Sequence, residues 1–202
     1  LRPRAPRRVG QLRPPATEPP AIRDVRPLAT RVPRDDRFEV SFRLPDRHLD
    51  PFDTNSVHVA AAFTAPDGTV TEVDGFYAND FYREATPAGE RIVPQGGPLW
   101  RVRFAPRQEG VYTYTLSARD AAGATVWGPG SFTAGPAVGP GFVRVSARDP
   151  RSFEFTDGRF YFPIGHNIRS PFDTRHDGAF PWMQRFDAGT AVYERYFRDM
   201  AA

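Results

Sequence analysis

Apolar and polar residues alternate with period two along most of this chain, the pattern of strands that bury one face. Phe38-Glu-Val40-Ser-Phe42-Arg-Leu44 is the first clear case. Residues 55–65 form a second run, closed by a Pro66-Asp67-Gly68 turn, and 69–76 returns as its partner. Trp100-Arg-Val102-Arg-Phe104 alternates again. Val111 to Ala118 follows, then an Asp120-Ala-Ala-Gly123 turn, and Ser131 to Ala134 and Phe142 to Ser146 complete the series. Short strands with turn signals between them predict an antiparallel β-sandwich. Its expected core is Val40, Phe42, Val59, Phe63, Trp100, Phe104, Tyr112 and Tyr114. Residues 77–97 break the alternation and end in prolines and glycines, so they are expected as a long loop. Tyr77, Phe81 and Tyr82 on it either offer rings to a sugar or cover the core.

Gln108-Glu-Gly110-Val-Tyr112 sharpens the fold class. The stretch resembles the turn-Gly-x-Tyr entry of an immunoglobulin-type strand, whose tyrosine hydroxyl bonds back to the chain just upstream, the alternative being an ordinary strand tyrosine. The expected class is therefore mainly β: an immunoglobulin- or fibronectin-III-like sandwich over residues 35–146.

The pattern then changes. Phe153 and Phe155 lead into an Asp157-Gly158 turn, and Phe160-Tyr-Phe-Pro-Ile164 leaves it, apolar at every position. Such a run suits burial on both faces, as in a parallel sheet. Gly165-His166-Asn167-Ile168-Arg169 follows, and polar side chains just past a buried strand are where (β/α)8 barrels keep their chemistry. Residues 190–202 have a helical stripe, Val192, Tyr193, Tyr196, Phe197 and Met200, expected to pack on a core. Glu194 is spaced to pair with Arg198. A β-hairpin and one βα unit over 147–202 thus read as the start of an incomplete barrel, which needs about 250 residues.

Composition adds limits. All 27 basic residues are arginine, and cysteine is absent, so no disulfide, thiolate–metal site or cysteine nucleophile exists. Residues 1–34 hold nine arginines against Glu18 and Asp24, while the remainder holds 18 arginines against 22 acids. The high pI therefore belongs to a Pro/Arg-rich leader, expected to be flexible over 1–34 because few large apolar residues offset its ordering entropy. That leader has no stacking aromatics, so nucleic acid is not an expected partner. No apolar run is long enough for a membrane span.

Asp50-Pro-Phe-Asp53, Pro66-Asp-Gly68, Val73-Asp-Gly-Phe-Tyr77, Trp100 to Pro106 and Glu109-Gly-Val-Tyr112 resemble the N-terminal β-sandwich called domain of unknown function 5060. Gly141 to Ser146, Phe153-Glu-Phe155 with Asp157-Gly158, and Phe162-Pro-Ile-Gly-His-Asn167 resemble its junction with a glycoside-hydrolase-type barrel. The resemblance spans about 36–202. It implies an ancillary module ahead of a polysaccharide-active enzyme, extracellular or in the bacterial cell envelope, whose partners are a polysaccharide or oligosaccharide and its own C-terminal catalytic barrel. Catalytic carboxylates do not carry over, because they sit on later strands and two must flank the bond. The alternative is a non-catalytic carbohydrate-binding or adhesive module.

The candidate substrate-binding residues are His166 and Asn167, which can donate and accept bonds to sugar hydroxyls, and Arg169, which can pair with an acid group. Phe172 and Trp182, in the same loop, are candidates for a stacking wall. His166, Asp173 and His176 lack tight ligand spacing, so neither a metal nor a cofactor is expected.

Overall fold

The structure is a computed structural model that describes residues 17–46, 50–86, 89–165 and 191–201. The described residues form twelve strands and one helix, and the chain divides into two compact units. The first takes in 1–77 and 100–138, the second 78–99 and 139–202.

β1 (Arg23–Pro27), β3 (Phe38–Arg43), β7 (Gly89–Phe104) and β6 (Phe76–Thr86) form a four-stranded sheet in the order β1-β3-β7-β6, with β1, β3 and the Trp100–Phe104 end of β7 in the first unit. A five-stranded sheet has the order β2 (Arg31–Pro33), β9 (Gly123–Gly135), β8 (Gly110–Asp120), β4 (Val57–Thr64) and β5 (Val70–Asp74). The ladders of both sheets with resolved register are antiparallel, except that β2 runs parallel to β9.

Alternation decides what is buried. Phe38, Val40, Phe42, Trp100 and Val102 of the first sheet share one core with Val59, Phe63, Tyr112, Tyr114, Leu116 and Phe132 of the second. Phe38 stacks on Phe132 at 3.9 Å and meets Phe63 edge-on at 6.0 Å. Phe104 is only half-buried, yet it stacks on Phe63 at 4.2 Å. The expected tyrosine bond is present: the Gln108 N–H donates to Tyr112 Oη at 3.0 Å. Burial raises the pKa of Tyr114.

Three expectations for this part need correction. Residues 23–33 are not flexible leader but the strands β1 and β2. Ile22 and Val25 pack on the core, and the side chains of Pro20 and Val32 are buried. Interspersed prolines and arginines hid this period-two signal. The run 69–76 is not one strand either. The chain changes sheets at Gly75, whose N–H donates to Val59 O at 2.7 Å. A Cβ there would lie 2.5 Å from Val59 Cγ1 and 3.1 Å from Arg101 O, so only glycine fits between β4 and β7.

The third correction concerns 77–97, whose described residues are not a loop but the distal part of strands β6 and β7. β3 accompanies β7 only from Trp100 to Phe104. Before Trp100, β7 has no β3 partner, and strand edges of that kind tolerate proline such as Pro94 and Pro98.

In the second unit, β10 (Val143–Val145), β11 (Phe153–Phe155) and β12 (Phe160–Tyr161) make a three-stranded antiparallel sheet. The expected doubly buried strand 160–164 is thereby corrected. Only Phe160 and Tyr161 are strand, paired antiparallel to β11, while Phe160, Phe162 and Ile164 are 67%, 66% and 81% exposed. β12 is an edge, and Pro163 has no N–H to extend the ladder. Helix α1 (Ala191–Ala201) forms where the 3.6-residue period places it. Of its stripe, Phe197 and Met200 are exposed rather than core and Tyr193 is half-buried, and Glu194 pairs with Arg83 of β6 as well as feeling Arg198.

Candidate functional site

The residues singled out from sequence, His166, Asn167, Arg169, Phe172 and Trp182, lie outside the described residues. What is described is the scaffold leading to them. β11 and β12 are joined by a turn in which Gly158 has φ 88°, a conformation glycine adopts without a Cβ clash. The Arg159 N–H donates to Asp157 Oδ1 at 3.0 Å, and this bond with the Arg159 guanidinium lowers the Asp157 pKa.

Pairing fixes the two faces of the three-stranded sheet. Val143 lies opposite Phe155, Val145 opposite Phe153, and Phe153 opposite Tyr161, so these five apolar side chains share one face. Val143, Val145 and Phe153 are 44%, 56% and 43% exposed there. Arg144, Glu154 and Phe160 share the other face. Glu154 is buried. Its Oε2 accepts from Ser146 Oγ at 2.8 Å, and its Oε1 accepts from Arg144 Nε at 3.0 Å. The Ser146 bond first, then the Arg144 guanidinium, holds the Glu154 carboxyl below its ordinary 4.5.

This cluster was missed in the sequence, although Phe153-Glu-Phe155 already placed Glu154 opposite its apolar neighbours. Because its pKa is depressed in the fold, Glu154 stabilises fully above the unfolded value and progressively less as pH falls through the folded one. The stability difference between the protein and Glu154→Gln is therefore expected to be largest near neutrality and to shrink as pH drops below 4.5, read from urea midpoints across pH.

On β6, Phe81 and Tyr82 are 55% and 47% exposed. Being adjacent on a strand they point to opposite faces, so they do not form one platform. Asn79 shares the Phe81 face, and its Oδ1 is buried without a hydrogen-bond partner. Tyr77, also expected as an exposed ring, instead packs on Trp100 at 5.2 Å and edge-on to Phe52 at 5.7 Å.

Among the described residues no group of three or more His, Asp or Glu could hold a metal ion. Within the same limit, no helix is long and apolar enough to cross a membrane. The clearly shifted carboxylates, Asp53, Asp67, Asp149, Glu154, Asp157 and Glu194, all move downward, each chiefly through a hydrogen bond to its charged form.

Residues 31–119 match the family described as Domain of unknown function (DUF5060). The matched stretch runs from β2 to the end of β8 and so falls almost wholly on the two facing sheets. No curated protein matches the chain. Among solved structures, one similar to it is the crystal structure of a protein from Bacteroides vulgatus ATCC 8482 described as a putative glycoside hydrolase. It is 25% identical with a TM-score of 0.49 over 72% of this chain. The chain spans 24% of that protein's length.

Proposed function

We propose that this chain is the N-terminal part of a polysaccharide-active glycoside hydrolase of the cell exterior or envelope. In this reading the DUF5060-matching sheets are an immunoglobulin-like sandwich with an ancillary role. The segment 147–202 is the junction and first βα unit of a (β/α)8 barrel, and His166, Asn167, Arg169, Phe172 and Trp182 face the glycan. The observation that carries the reading is the open apolar face of the three-stranded sheet. Val143, Val145, Phe153, Phe155 and Tyr161 lie on one side, and the chain leaves through exposed Phe162 and Ile164. A sheet with one apolar face needs a further layer over it, and the body of a barrel would supply one.

The non-catalytic role proposed for these 202 residues is supported by the carboxylates of the described residues. A glycosidase acid works through a raised pKa beside a second carboxylate, whereas the clearly shifted carboxylates here are lowered and bonded. Exposed Phe81 and Tyr82 favour the second reading, a binding or adhesive module without an attached enzyme.

The two separate by experiment. The 202-residue chain is expected to release no reducing ends from a panel of polysaccharides. The product of the same reading frame extended past Ala202 is expected to do so, and to lose kcat/KM in Asn167→Ala without loss of thermal stability. Turnover by the short chain, or an extended product with no barrel, would overturn the proposal.

A further inference from the structure

The four-stranded sheet turns its second face outward, and that face is built of arginine. Val40, Phe42 and Val102 point into the core, so Glu39, Ser41 and Arg43 of β3 and Arg101 and Arg103 of β7 point away from it. Register adds β1. Arg26 lies opposite Ser41, and Arg23 lies opposite Arg43. Cross-strand partners share a face, about 4.8 Å apart between strands. Arg23, Arg26, Arg43 and Arg103 therefore stand exposed on one face, with Arg101 and Glu39 buried on the same face and Glu39 and Asp24 as their counter-charges on β3 and β1.

Those counter-charges are committed. Glu39 bonds both Arg103 and Arg101, and Asp24 Oδ2 lies 3.8 Å from Arg43 Nε. Arg23 directly opposite Arg43 is a like-charge pair, which costs stability in a sheet unless an anion relieves it. The Arg43 and Arg103 side chains are 54% and 47% exposed, and Arg103 is held over the Phe76 ring at 4.9 Å.

The arginine-rich composition alone does not account for this. The corresponding outward positions in the middle of β4 and β8 are Ala60, Ala62 and Thr64 and Thr113, Thr115 and Ser117, with His58 and Arg119 at one end. The two outer faces of the same unit thus differ in charge.

We propose that the outer face of the four-stranded sheet binds a carboxylated, uronic-acid-type polysaccharide through Arg23, Arg26, Arg43 and Arg103. The inference rests on the reading of the protein as polysaccharide-active and names the class of glycan its β-rich unit holds. Guanidinium forks match carboxylates two bonds at a time. Rows of them across a sheet meet a chain that repeats its carboxylate from sugar to sugar, and weak contacts multiply along a polymer. Single-stranded nucleic acid fits less well, because it needs open aromatic faces. Phe76, the ring that stands beside these arginines, is already covered by Arg103.

Affinity electrophoresis of the 202-residue chain in gels containing polygalacturonate tests this, with its methyl-esterified form as the uncharged match and oligo-dT as competitor. Polygalacturonate should retard the chain, and the esterified polymer should not. Arg23→Gln/Arg26→Gln/Arg43→Gln should weaken retardation at least tenfold at an unchanged thermal midpoint. Arg119→Gln on the other sheet, and deletion of residues 1–16, should leave it intact.

Equal retardation of the triple variant overturns the proposal, as does loss on deleting 1–16, equal binding of the esterified polymer, or tighter binding of oligo-dT. Hydrolysis by the extended product is measured separately. If it cleaves glycans while this face binds none, only the present inference fails. If the face binds and no extended product cleaves, the hydrolase reading fails instead.

Discussion

Phe38→Ala is expected to destabilise the β-rich unit by about 3–5 kcal/mol, the range for truncating a fully buried aromatic ring. Phe38 is wholly buried and central. It stacks on Phe132 at 3.9 Å and also touches Phe63 and Tyr114, at 6.0 and 5.4 Å. These partners come from three strands of the opposite sheet, so the void cannot close by the shift of one side chain. Urea unfolding followed by tryptophan fluorescence gives the measurement, since Trp100 and Trp127 both belong to this unit. A midpoint shift corresponding to less than about 1 kcal/mol would mean that the two sheets do not share the core described.

Gly110→Ala is expected to cost about 2 kcal/mol or more, a large effect for a single methyl group. Gly110 opens β8 with φ 130°, where an L-residue is strained by roughly 1–3 kcal/mol. The added Cβ would also lie 2.7 Å from Pro66 Cγ. Strain and clash fall on the turn that sets the Gln108 N–H on Tyr112 Oη. Gly68→Ala is the informative comparison. Its φ is 85° but no atom lies within 4 Å of the built Cβ, so it isolates the backbone term. Gly110→Ala losing no more than Gly68→Ala would show that the Pro66 contact relaxes freely.

Parts of this protein were legible because they depend on neighbours along the chain. Period two on Phe38–Phe42, Trp100–Phe104 and Tyr112–Leu116 fixes which side chains face inward whatever lies opposite. The Gln108–Tyr112 bond spans four residues, and α1 follows from its own spacing. The candidate glycan residues past Gly165 rest on the same kind of local pattern.

Only the tertiary structure decided the rest. That the chain leaves one sheet for the other at Gly75 depends on Val59 and Arg101, which are far away in sequence. Strands β1 and β2 exist because β3 and β9 offer their edges, a stabilisation that a Pro/Arg-rich segment does not reveal by itself. Phe160 to Ile164 reads as a buried strand because burial on both faces and exposure give the same letters, and the partner decides between them. Arginine looked like uniform composition along the chain. Register alone gathered Arg23, Arg26, Arg43, Arg101 and Arg103 on a single face, because strand pairing converts large sequence separations into distances of a few ångströms.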